Sequence, residues 1–589
     1  MCGIAGMMTA SGEPPPAARL QAMEAALLHR GPDGTGHYRS GDVGMVQTRL
    51  AIIDLATGDQ PLYEPGGAAL VANAEIYNYL ELKAELPDIV FATQSDCELP
   101  LHLYRRHGLD FARLLRGMHA LALHDPAAGR LVLARDPFGI KPLYYVETAA
   151  GFAFASEPQS LLRADLVPVA LQRQARNELL QLQFTTGRDT IFAGIKRVLP
   201  GETIVVAKGR VVERRRIEAL PAGEVAMQDE AAALAALDRV FADSVNLHQR
   251  ADVPYGMFLS GGIDSSAVLA MMARLNERPV QAFTVGFPQS GAADERAQAR
   301  AVARHLGAEH IEVEFTAADF WRLLPEVARA LDDPAADYAV LPTYKLAAAA
   351  HAAGLKVILS GEGGDELFAG YGRYRSMSRP WWAGGKLMRA RGNLERLGLL
   401  RGDLAGWRDG IAAAELNAAR PGRTRLQVAQ ATDCADWLPN DLLTKLDRCL
   451  MAHGVEGRTP FLDPLVADFA FRLPDDLKLR GGVGKWLLRR WLGEKVAVAE
   501  PFARKRGFTV PVGEWIARRG AELGPLVAAQ PGVQEICLPD RVEKLFRTPK
   551  ARHESFAAWT LLFYALWHGH HIEGRALAGD AFEALAARG

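Results

Sequence analysis

A strand, a glycine-rich turn and a helix follow one another between residues 253 and 277, and a second strand comes directly after them. The apolar run VPYGMFLS leads into the turn, SSAVLAMMARLNE has helical character, and QAFTVGF has the composition of a strand. Strands joined by a helix in this order pair in parallel, and helices cover the faces of the resulting sheet. The C-terminal part of the chain is therefore predicted to be an α/β domain built on a parallel sheet.

The sequence before residue 208 has a different character, with short strand-like runs such as GMVQTRLAIIDL and AALVANAEIYN separated by glycine-containing turns. This pattern favours a sheet-rich, layered domain. The 589 residues also exceed the roughly 250 to 300 that a single hydrophobic core can organise. We predict an N-terminal sheet-rich domain (1–210), a charged linker (211–230), an α/β domain (231–520) and a helical extension of that domain (521–589).

Composition excludes several classes of protein. Lys and Arg number 68 against 69 Asp and Glu, so no net field would attract nucleic acid or an anionic membrane. No apolar run reaches the roughly 18 residues that a membrane span needs, and MCGIAG lacks the features of a signal peptide. We expect a cytoplasmic protein that binds neither nucleic acid nor membranes. The three histidines His568, His570 and His571 have no acidic or cysteine partners nearby in sequence and are expected at an exposed helix end.

Five cysteines are too few for a disulfide framework and contain no CxxC pair, so four are expected to be inert thiols. Cys2 is different, because removal of the initiator methionine would give one residue both a thiol and a free α-amine. An α-amine has an ordinary pKa of about 7.7 to 8.0 and can take a proton from a neighbouring nucleophile at neutral pH. From the residues alone, a catalytic cysteine and an accidental one both remain open.

The turn SGGIDSS at residues 260 to 266 lies between a predicted strand and a predicted helix. Its backbone N–H groups and the helix N-terminus would form a cradle for an anion, and Ser260, Ser265 and Ser266 would add hydroxyl donors. The phosphate-loop pattern GxxxxGK[ST] is absent. An anion site of another type is therefore predicted.

A second junction, SGEGGDELFAGY at residues 360 to 371, places Glu362, Asp365 and Glu366 at another predicted strand end. Ligands of open parallel sheets collect at the carboxyl ends of the strands. Asp264 and Asp365 would then approach each other as a Mg²⁺ site, since Mg²⁺ prefers a few carboxylates together with phosphate oxygens.

Several further motifs carry a family resemblance. MCGIAG, HRGPDGTG, TRLAIIDL, NAEIYN, SDCE, RDPFGIKPLYY and FASE resemble the N-terminal-nucleophile glutamine amidotransferase domain of asparagine synthetases over residues 1 to 200. SGGIDSS resembles the pyrophosphate loop of N-type ATP pyrophosphatases. DDPAADYAVLPTY, DRCLMAHGVEGRTPFLD, GVGKWLLRR and RKRGFTVP match the synthetase half in order, so that the resemblance extends to about residue 515.

The resemblance implies a multidomain α/β fold: an N-terminal Ntn-hydrolase αββα sandwich and a C-terminal Rossmann-like, parallel-sheet ATP pyrophosphatase domain with added helices. It implies that glutamine is hydrolysed, that ATP with Mg²⁺ adenylates an acceptor carboxylate, and that ammonia displaces AMP after crossing an apolar passage between the domains. It also suggests a homodimer. We expect the acceptor to be L-aspartate, which would give L-asparagine. A relative that amidates a sugar acid or small peptide, or a non-catalytic glutamine-sensing homologue, remains an alternative.

The resemblance also implies roles for individual residues. Catalysis would involve Cys2, Asn73 and Ala74 in the glutaminase and Glu362, as base, and Lys485 in the synthetase. The family usually has His where Gln47 stands and Gly where Ala74 stands, so the backbone donor at Ala74 requires a φ and ψ that tolerate a Cβ. The binding residues implied are Arg49, Asn73, Glu75 and Asp96 for glutamine; Leu259, Ser260, Gly261, Gly262, Asp264, Ser265, Ser266, Val285, Ser360 and Gly361 for ATP; Asp264 and Asp365 for Mg²⁺; and Arg458 and Asp463 for the acceptor.

Overall fold

The computed structural model describes residues 2–226, 229–288, 290–291, 294–380, 382, 384–503, 510–547 and 552–587. Most of the motif RKRGFTVP, residues 504–509, lies outside this part of the chain. Within residues 2–226 the chain forms two antiparallel sheets of six strands each, in the spatial orders β10-β8-β9-β1-β3-β2 and β12-β11-β7-β6-β5-β4. Their strands are β1 (Cys2–Thr9), β2 (Gly34–Ser40), β3 (Val43–Arg49), β4 (Leu62–Tyr63), β5 (Ala69–Ile76), β6 (Gly117–Asp125), β7 (Arg130–Arg135), β8 (Tyr144–Thr148), β9 (Gly151–Ala155), β10 (Lys196–Arg197), β11 (Glu202–Ala207) and β12 (Arg210–Arg216).

The two sheets stack face to face because their strands alternate between two apolar surfaces. In β1, Ile4 and Met8 enter the core between the sheets, whereas Ala5 and Met7 face outward. Helices cover both outer faces, which gives the predicted αββα sandwich. These helices are α1 (Ala17–Ala25), α2 (Tyr79–Ala84), α3 (Leu99–His107), α4 (Pro158–Arg163) and α5 (Arg173–Leu182).

The described part of the C-terminal half contains a parallel sheet of five strands in the order β15-β14-β13-β16-β17. The strand order reverses between β13 and β16, and ligands of such sheets bind at this switch point. SGGIDSS follows β13 and SGEGGDE follows β16, so both predicted junctions lie at the same edge. The strands are β13 (Tyr255–Phe258), β14 (Gln281–Gly286), β15 (Glu309–Glu314), β16 (Val357–Leu359) and β17 (Glu456–Arg458); β18 (Leu479–Arg480) and β19 (Val483–Gly484) form a separate hairpin.

Helices surround this sheet and continue to the end of the described chain. Asp433–Leu443 is a π-helical segment between α14 and α15. The helices are α6 (Glu230–His248), α7 (Ile263–Leu275), α8 (Arg296–His305), α9 (Ala317–Ala330), α10 (Val340–Ala352), α11 (Gly364–Leu367), α12 (Gly372–Met377), α13 (Asp409–Ala418), α14 (Arg425–Thr432), α15 (Thr444–Met451), α16 (Pro464–Arg472), α17 (Asp475–Lys478), α18 (Trp486–Lys495), α19 (Val512–Arg518), α20 (Gly520–Ala528), α21 (Pro531–Gln534), α22 (Pro539–Arg547), α23 (Arg552–His571) and α24 (Ala581–Ala586).

The fold differs from the sequence expectations at two places. Residues 211–216, expected in the linker, belong to β12, which pairs with β11 and completes the second sheet. The histidines at the end of α23 are not exposed: His568 is buried, and His571 Nε2 lies 3.1 Å from the Ala328 carbonyl oxygen. Packing of α23 against α9 covers this end of the helix.

Helix α23 belongs to the core of the chain, with Trp559 and Trp567 fully buried and donating to carbonyl groups of the same domain. Among the helices that the structure describes, none combines the length and the apolar character needed to cross a membrane. Cys97, Cys434, Cys449 and Cys537 are buried free thiols, as predicted.

Candidate active sites

Cys2 and Asn73 meet at one end of the sandwich, where β1 of the first sheet passes β5 of the second. The Cys2 nitrogen donates a 3.1 Å hydrogen bond to Asn73 Oδ1, and removal of Met1 would turn this nitrogen into an α-amine. Asn73 Nδ2 is buried without a hydrogen-bond partner among the described residues. The amide therefore orients the predicted base through its oxygen and keeps its nitrogen available for a developing oxyanion.

Ala74 presents its N–H to the open edge of β5. The neighbouring N–H groups on this edge are already hydrogen-bonded, since the Ala72 N–H donates to Gln60 Oε1 and the Ile76 N–H donates to Asp96 Oδ2. Alternate residues of a strand direct their N–H groups to the same edge, so that of Ala74 lies between these two. Ala74 is not among the described residues with positive φ, and its Cβ is therefore compatible with the backbone position where the family usually has Gly.

Burial raises the pKa of the Cys2 thiol, and the Leu50 N–H and the Gln47 side chain oppose this effect. Gln47 is buried on β3, the strand that pairs with β1. An amide cannot take a proton from a thiol, whereas a histidine at this position could. The α-amine of Cys2 is thus the base that the site offers.

The predicted glutamine-binding residues lie around this thiol, but each already has a protein partner. Arg49 donates to Asp59 Oδ1 at 2.6 Å, which shows that its guanidinium is placed to hold a carboxylate. Asp96 accepts from the Ile76 N–H, and burial raises its pKa. Glu75 pairs with a residue of the other domain: Arg458 Nη2 lies 2.9 Å from Glu75 Oε2.

Arg458 and Asp463, predicted to shape the acceptor pocket, lie instead at the interface between the domains. Arg458 is fully buried and donates to Glu456 Oε1 and to the carbonyls of His248 and Arg250. Asp463 caps α16 and accepts a 2.7 Å hydrogen bond from Arg116 of the N-terminal domain. Neither residue lines the cleft formed by the two glycine-rich junctions.

The loop between β13 and α7 is held in shape by its own serines. Ser265 Oγ lies 2.9 Å from Ser260 Oγ and accepts from the Ser260 N–H, and Ser260 Oγ accepts from the Gly262 N–H. These bonds close the loop around the N-terminus of α7, where N–H groups point outward. Ser266 is buried and lines neither part of the cleft, so the structure does not support its predicted contact with the nucleotide.

Lys485 joins the two junctions. Its ammonium pairs with Asp264 of the first and lies 2.6 Å from Asp365 Oδ1 of the second. Although burial opposes it, the two carboxylates raise the pKa of Lys485. Gly370 is required beside them, because a Cβ there would lie 1.8 Å from Asp365 Oδ1 and 2.2 Å from Lys485 Cε.

The cleft over these residues has two parts of about 420 and 270 Å³ that share Ser260, Asp264, Glu295 and Asp365. Every predicted nucleotide-binding residue except Ser266 lines one part or both. Asp294, Gln298 and Arg489 extend the larger part and had not been predicted. The smaller part is lined by Leu259, Val285, Ser360, Gly361, Glu362 and Lys445, among others.

Asp264 and Asp365 both pair with the Lys485 ammonium, and two carboxylates this close together could also bind Mg²⁺. Nowhere in the described ranges do three His, Cys, Asp or Glu side chains group in a way that could hold a metal on their own. Mg²⁺ sites commonly take one or two carboxylates and complete their coordination with phosphate oxygens and water. Asp264 and Asp365 offer such a partial set.

Glu362 lies in the smaller part of the cleft with Lys445 as its nearest cation, 3.8 Å away. Burial raises the pKa of Glu362, and the Lys445 ammonium opposes this effect. A carboxylate with a raised pKa is a better proton acceptor at neutral pH than an exposed one. Lys445 lies two residues before the recognised motif DRCLMAHGVEGRTPFLD and is not among the predicted site residues.

A buried ion network between the domains was also missed. Arg30 pairs with Glu157 at 2.7 Å and with Asp447 at 2.8 Å, and Arg448 pairs with Asp447 and with Asp332. All five residues belong to motifs noted in the sequence, namely HRGPDGTG, FASE, DDPAADY and DRCLMAHG. Four motifs that are distant in sequence therefore meet in this network.

Comparisons with known proteins match both halves. A family model described as asparagine synthase matches residues 236–569, and one described as glutamine amidotransferase domain matches residues 1–216. The chain is 32% identical to the glutamine-hydrolyzing asparagine synthetase 1 of Bacillus subtilis over 98% of both chains. It is 35% identical to a putative glutamine-hydrolyzing asparagine synthetase of Mycobacterium bovis, over 97% of this chain and 98% of the relative. Asparagine synthetase B of Escherichia coli is 30% identical over 85% of this chain and 80% of its own.

Proposed function

The chain belongs to the family of glutamine-hydrolysing asparagine synthetases, and we propose that it transfers the amide nitrogen of glutamine to an adenylated aspartate. One observation supports this proposal: Cys2 lies beside Asn73 in the N-terminal domain, and Lys485 joins Asp264 and Asp365 in the C-terminal cleft of the same chain. A non-catalytic homologue would not need to retain both.

In the N-terminal domain, the Cys2 thiol transfers its proton to its own α-amine and attacks the glutamine amide carbon. The oxygen of the tetrahedral intermediate accepts hydrogen bonds from Asn73 Nδ2 and the Ala74 N–H. Ammonia leaves as the thioester forms, and water then releases glutamate. When glutamine binds, its α-carboxylate replaces Asp59 as the partner of Arg49.

In the C-terminal domain, ATP lies with its phosphates over the Ser260–Gly262 loop. The acceptor carboxylate attacks the α-phosphate and pyrophosphate leaves, its charge partly neutralised by Lys485. Mg²⁺, held by Asp264 and Asp365, would neutralise further phosphate charge. Glu362 takes a proton from the ammonia that attacks the acyl-adenylate, and AMP is released.

Ammonia must cross the domain interface without meeting bulk water, where it would be protonated. An apolar cluster at this interface supports such a passage, since Leu50, Ile52 and Met118 of the N-terminal domain pack in one group with Leu442 and Leu443 of the other. The charged network around Arg30 and Arg458 lies at the same interface. The passage is therefore proposed to be apolar along part of its length.

The experiment that tests this proposal supplies ATP, Mg²⁺ and glutamine with aspartate, with a sugar acid or with a small dipeptide, and measures AMP and pyrophosphate. Release that depends on aspartate is expected. Release with another acid alone would assign the chain to a different acceptor, and formation of ADP and orthophosphate would contradict adenylation.

A further inference from the structure

Lys485, which joins the two glycine-rich junctions, has a backbone conformation that is unusual for a lysine. Its φ and ψ are +57° and +33°, in the left-handed region, and it lies at the start of α18. A residue with a Cβ is strained in this region because the Cβ approaches the following carbonyl oxygen, and glycine is the usual residue. Such a conformation persists only where the surrounding structure holds it. Contacts with neighbouring residues must therefore hold Lys485 in place.

The side chain of Arg489 fixes the peptide group before Lys485. Arg489 Nε donates a 2.8 Å hydrogen bond to the Gly484 carbonyl oxygen. The N–H of the same peptide group belongs to Lys485 and donates to the Phe368 carbonyl oxygen at 2.9 Å. Because a peptide group is planar, turning it would break at least one of these two bonds.

The backbone of Arg489 fixes the peptide group after Lys485. The Arg489 N–H donates to the Lys485 carbonyl oxygen at 2.8 Å, which is the bond that begins α18. The φ and ψ of a residue are the rotations between the peptide planes on its two sides. Arg489 thus contacts both of the planes that define the conformation of Lys485.

Arg489 is itself fixed and lies beside the reaction site. The residue is only 8% exposed, and its Nη1 donates to the Pro501 carbonyl. It lines the larger part of the cleft together with Lys485. The next residue, Arg490, is a contrast, since its side chain is 45% exposed and its Nε lies 3.0 Å from Glu230 Oε1. Arg490 therefore offers a matched control.

The Lys485 side chain has little space in which to compensate for a change in its backbone. Gly484 approaches the second junction so closely that a Cβ there would lie 2.2 Å from the Ala369 carbonyl oxygen. On the other side, a Cβ at Gly370 would lie 2.2 Å from Lys485 Cε. A rotation of the Lys485 backbone would therefore move the ammonium away from Asp365 and from the phosphates proposed to lie there.

We propose that Arg489 is a positioning residue that holds Lys485 in its left-handed conformation and so directs the ammonium toward the phosphates. This inference rests on the proposed role of Lys485 in pyrophosphate release. Arg489 acts through the hydrogen bond from its Nε, and its charge is not required. Misplacing a reacting or stabilising group by about 1 Å can slow a reaction about 100-fold, so loss of this bond should have a large effect.

Two substitutions separate the hydrogen bond from the charge. In Arg489→Gln the introduced amide nitrogen occupies the chain position of Nε and can donate to Gly484, whereas Arg489→Met provides no donor. We expect kcat for aspartate-dependent pyrophosphate release to fall about 10- to 100-fold in Arg489→Met and to stay within about threefold of the wild-type value in Arg489→Gln. Arg490→Met should leave the rate unchanged, and glutamine hydrolysis at Cys2 reports that each variant is folded. Equal losses in the two Arg489 variants would overturn the proposal, because the charge would then be what matters.

A second measurement asks whether Arg489 acts through Lys485. In protein that already carries Lys485→Ala, adding Arg489→Met should lower pyrophosphate release by less than about twofold, because there is no ammonium left to position. Losses that multiply would show that Arg489 acts independently of Lys485, for example by contacting pyrophosphate itself, and would also overturn the proposal.

A crystal structure of the Arg489→Met variant gives a readout that does not depend on activity. We expect Lys485 to leave the left-handed region and its ammonium to move away from Asp365. An unchanged φ at Lys485 would contradict the positioning role. A wild-type protein that releases no pyrophosphate would contradict the proposed function instead, and the variant structure would still decide the role of Arg489.

Discussion

Arg458 of the C-terminal domain lies 2.9 Å from Glu75 of the N-terminal domain, and both side chains are buried. Glu75 belongs to β5, next to Asn73 and Ala74 of the proposed oxyanion hole. Arg458 ends β17, at the edge of the parallel sheet. The ion pair therefore connects the strand that carries the glutaminase site directly to the sheet that carries the nucleotide cleft.

Arg458→Met is expected to destabilise the protein by about 3 to 5 kcal/mol, because Glu75 and Glu456 would lose their buried cation. The free energy of unfolding from urea denaturation measures this effect. Arg472→Met is a control, since Arg472 makes only partly exposed pairs and should cost less than about 1 kcal/mol. Equal losses in the two variants would show that the Arg458 cluster has no special role in stability.

Cys2→Ala is expected to abolish synthesis driven by glutamine while synthesis driven by ammonium salts continues at the wild-type rate. The reason is that the thiol takes part only in releasing ammonia. Asparagine formation with each nitrogen source measures this separation. If both rates fell together, the thiol could not be a donor-site residue alone.

Asn73→Ala is expected to lower kcat of glutamine hydrolysis by roughly 100- to 1,000-fold, the usual effect of removing one oxyanion donor. The free Nδ2 of Asn73 is the basis for this magnitude. Asn78→Ala is a suitable control, because Asn78 Nδ2 donates to the Leu114 carbonyl. A loss confined to KM for glutamine would indicate that Asn73 binds substrate rather than stabilising the intermediate.

Lys485→Ala is expected to reduce aspartate-dependent pyrophosphate release by at least about 100-fold, since Asp264 and Asp365 would face the phosphates without their shared cation. Glutamine hydrolysis should continue, and Lys485→Arg should restore part of the activity. Full pyrophosphate release by the alanine variant would remove Lys485 from the mechanism.

Asp436→Asn is expected to change how stability depends on pH. Asp436 accepts a 2.7 Å hydrogen bond from the Gly187 N–H across the domain interface, and burial raises its pKa to about 6. A carboxyl whose folded pKa exceeds its unfolded value stabilises the fold below about pH 4, and this contribution is lost as the pH rises through 6.

The side chain introduced in Asp436→Asn does not ionise, so the variant does not lose this contribution as the pH rises. Its free energy of unfolding relative to that of the wild-type protein should increase by up to about 3 kcal/mol between pH 4 and 7. Urea denaturation across this range measures the difference. Exposed Asp403→Asn is the control. A constant difference between wild-type and Asp436→Asn would show that Asp436 is charged throughout.

Local patterns were sufficient for much of this molecule. The strand, glycine turn and helix around SGGIDSS predicted a parallel sheet, and a parallel sheet necessarily brings SGGIDSS and SGEGGDE to the same edge. The approach of Asp264 and Asp365 followed from this geometry. The αββα sandwich was implied by the family resemblance, because short alternating strands alone are compatible with several layered folds.

The positions of Arg458 and Asp463 could not be predicted in this way. Both belong to a recognised motif, but Arg458 ends the edge strand β17 and Asp463 begins α16, and each meets a side chain of the N-terminal domain. Which side chains of one domain approach the other depends on how the two domains pack, and a local sequence pattern does not contain this information.

The most direct test of transfer between the two sites follows the nitrogen atom through the protein. Glutamine labelled with ¹⁵N in its amide is supplied with ATP, Mg²⁺, aspartate and an excess of unlabelled ammonium salt, at a pH where free ammonia is mostly protonated. We expect asparagine labelled in its side-chain amide, formed in equal amount with AMP. Unlabelled asparagine, or labelled ammonium released without AMP, would contradict transfer between the two sites.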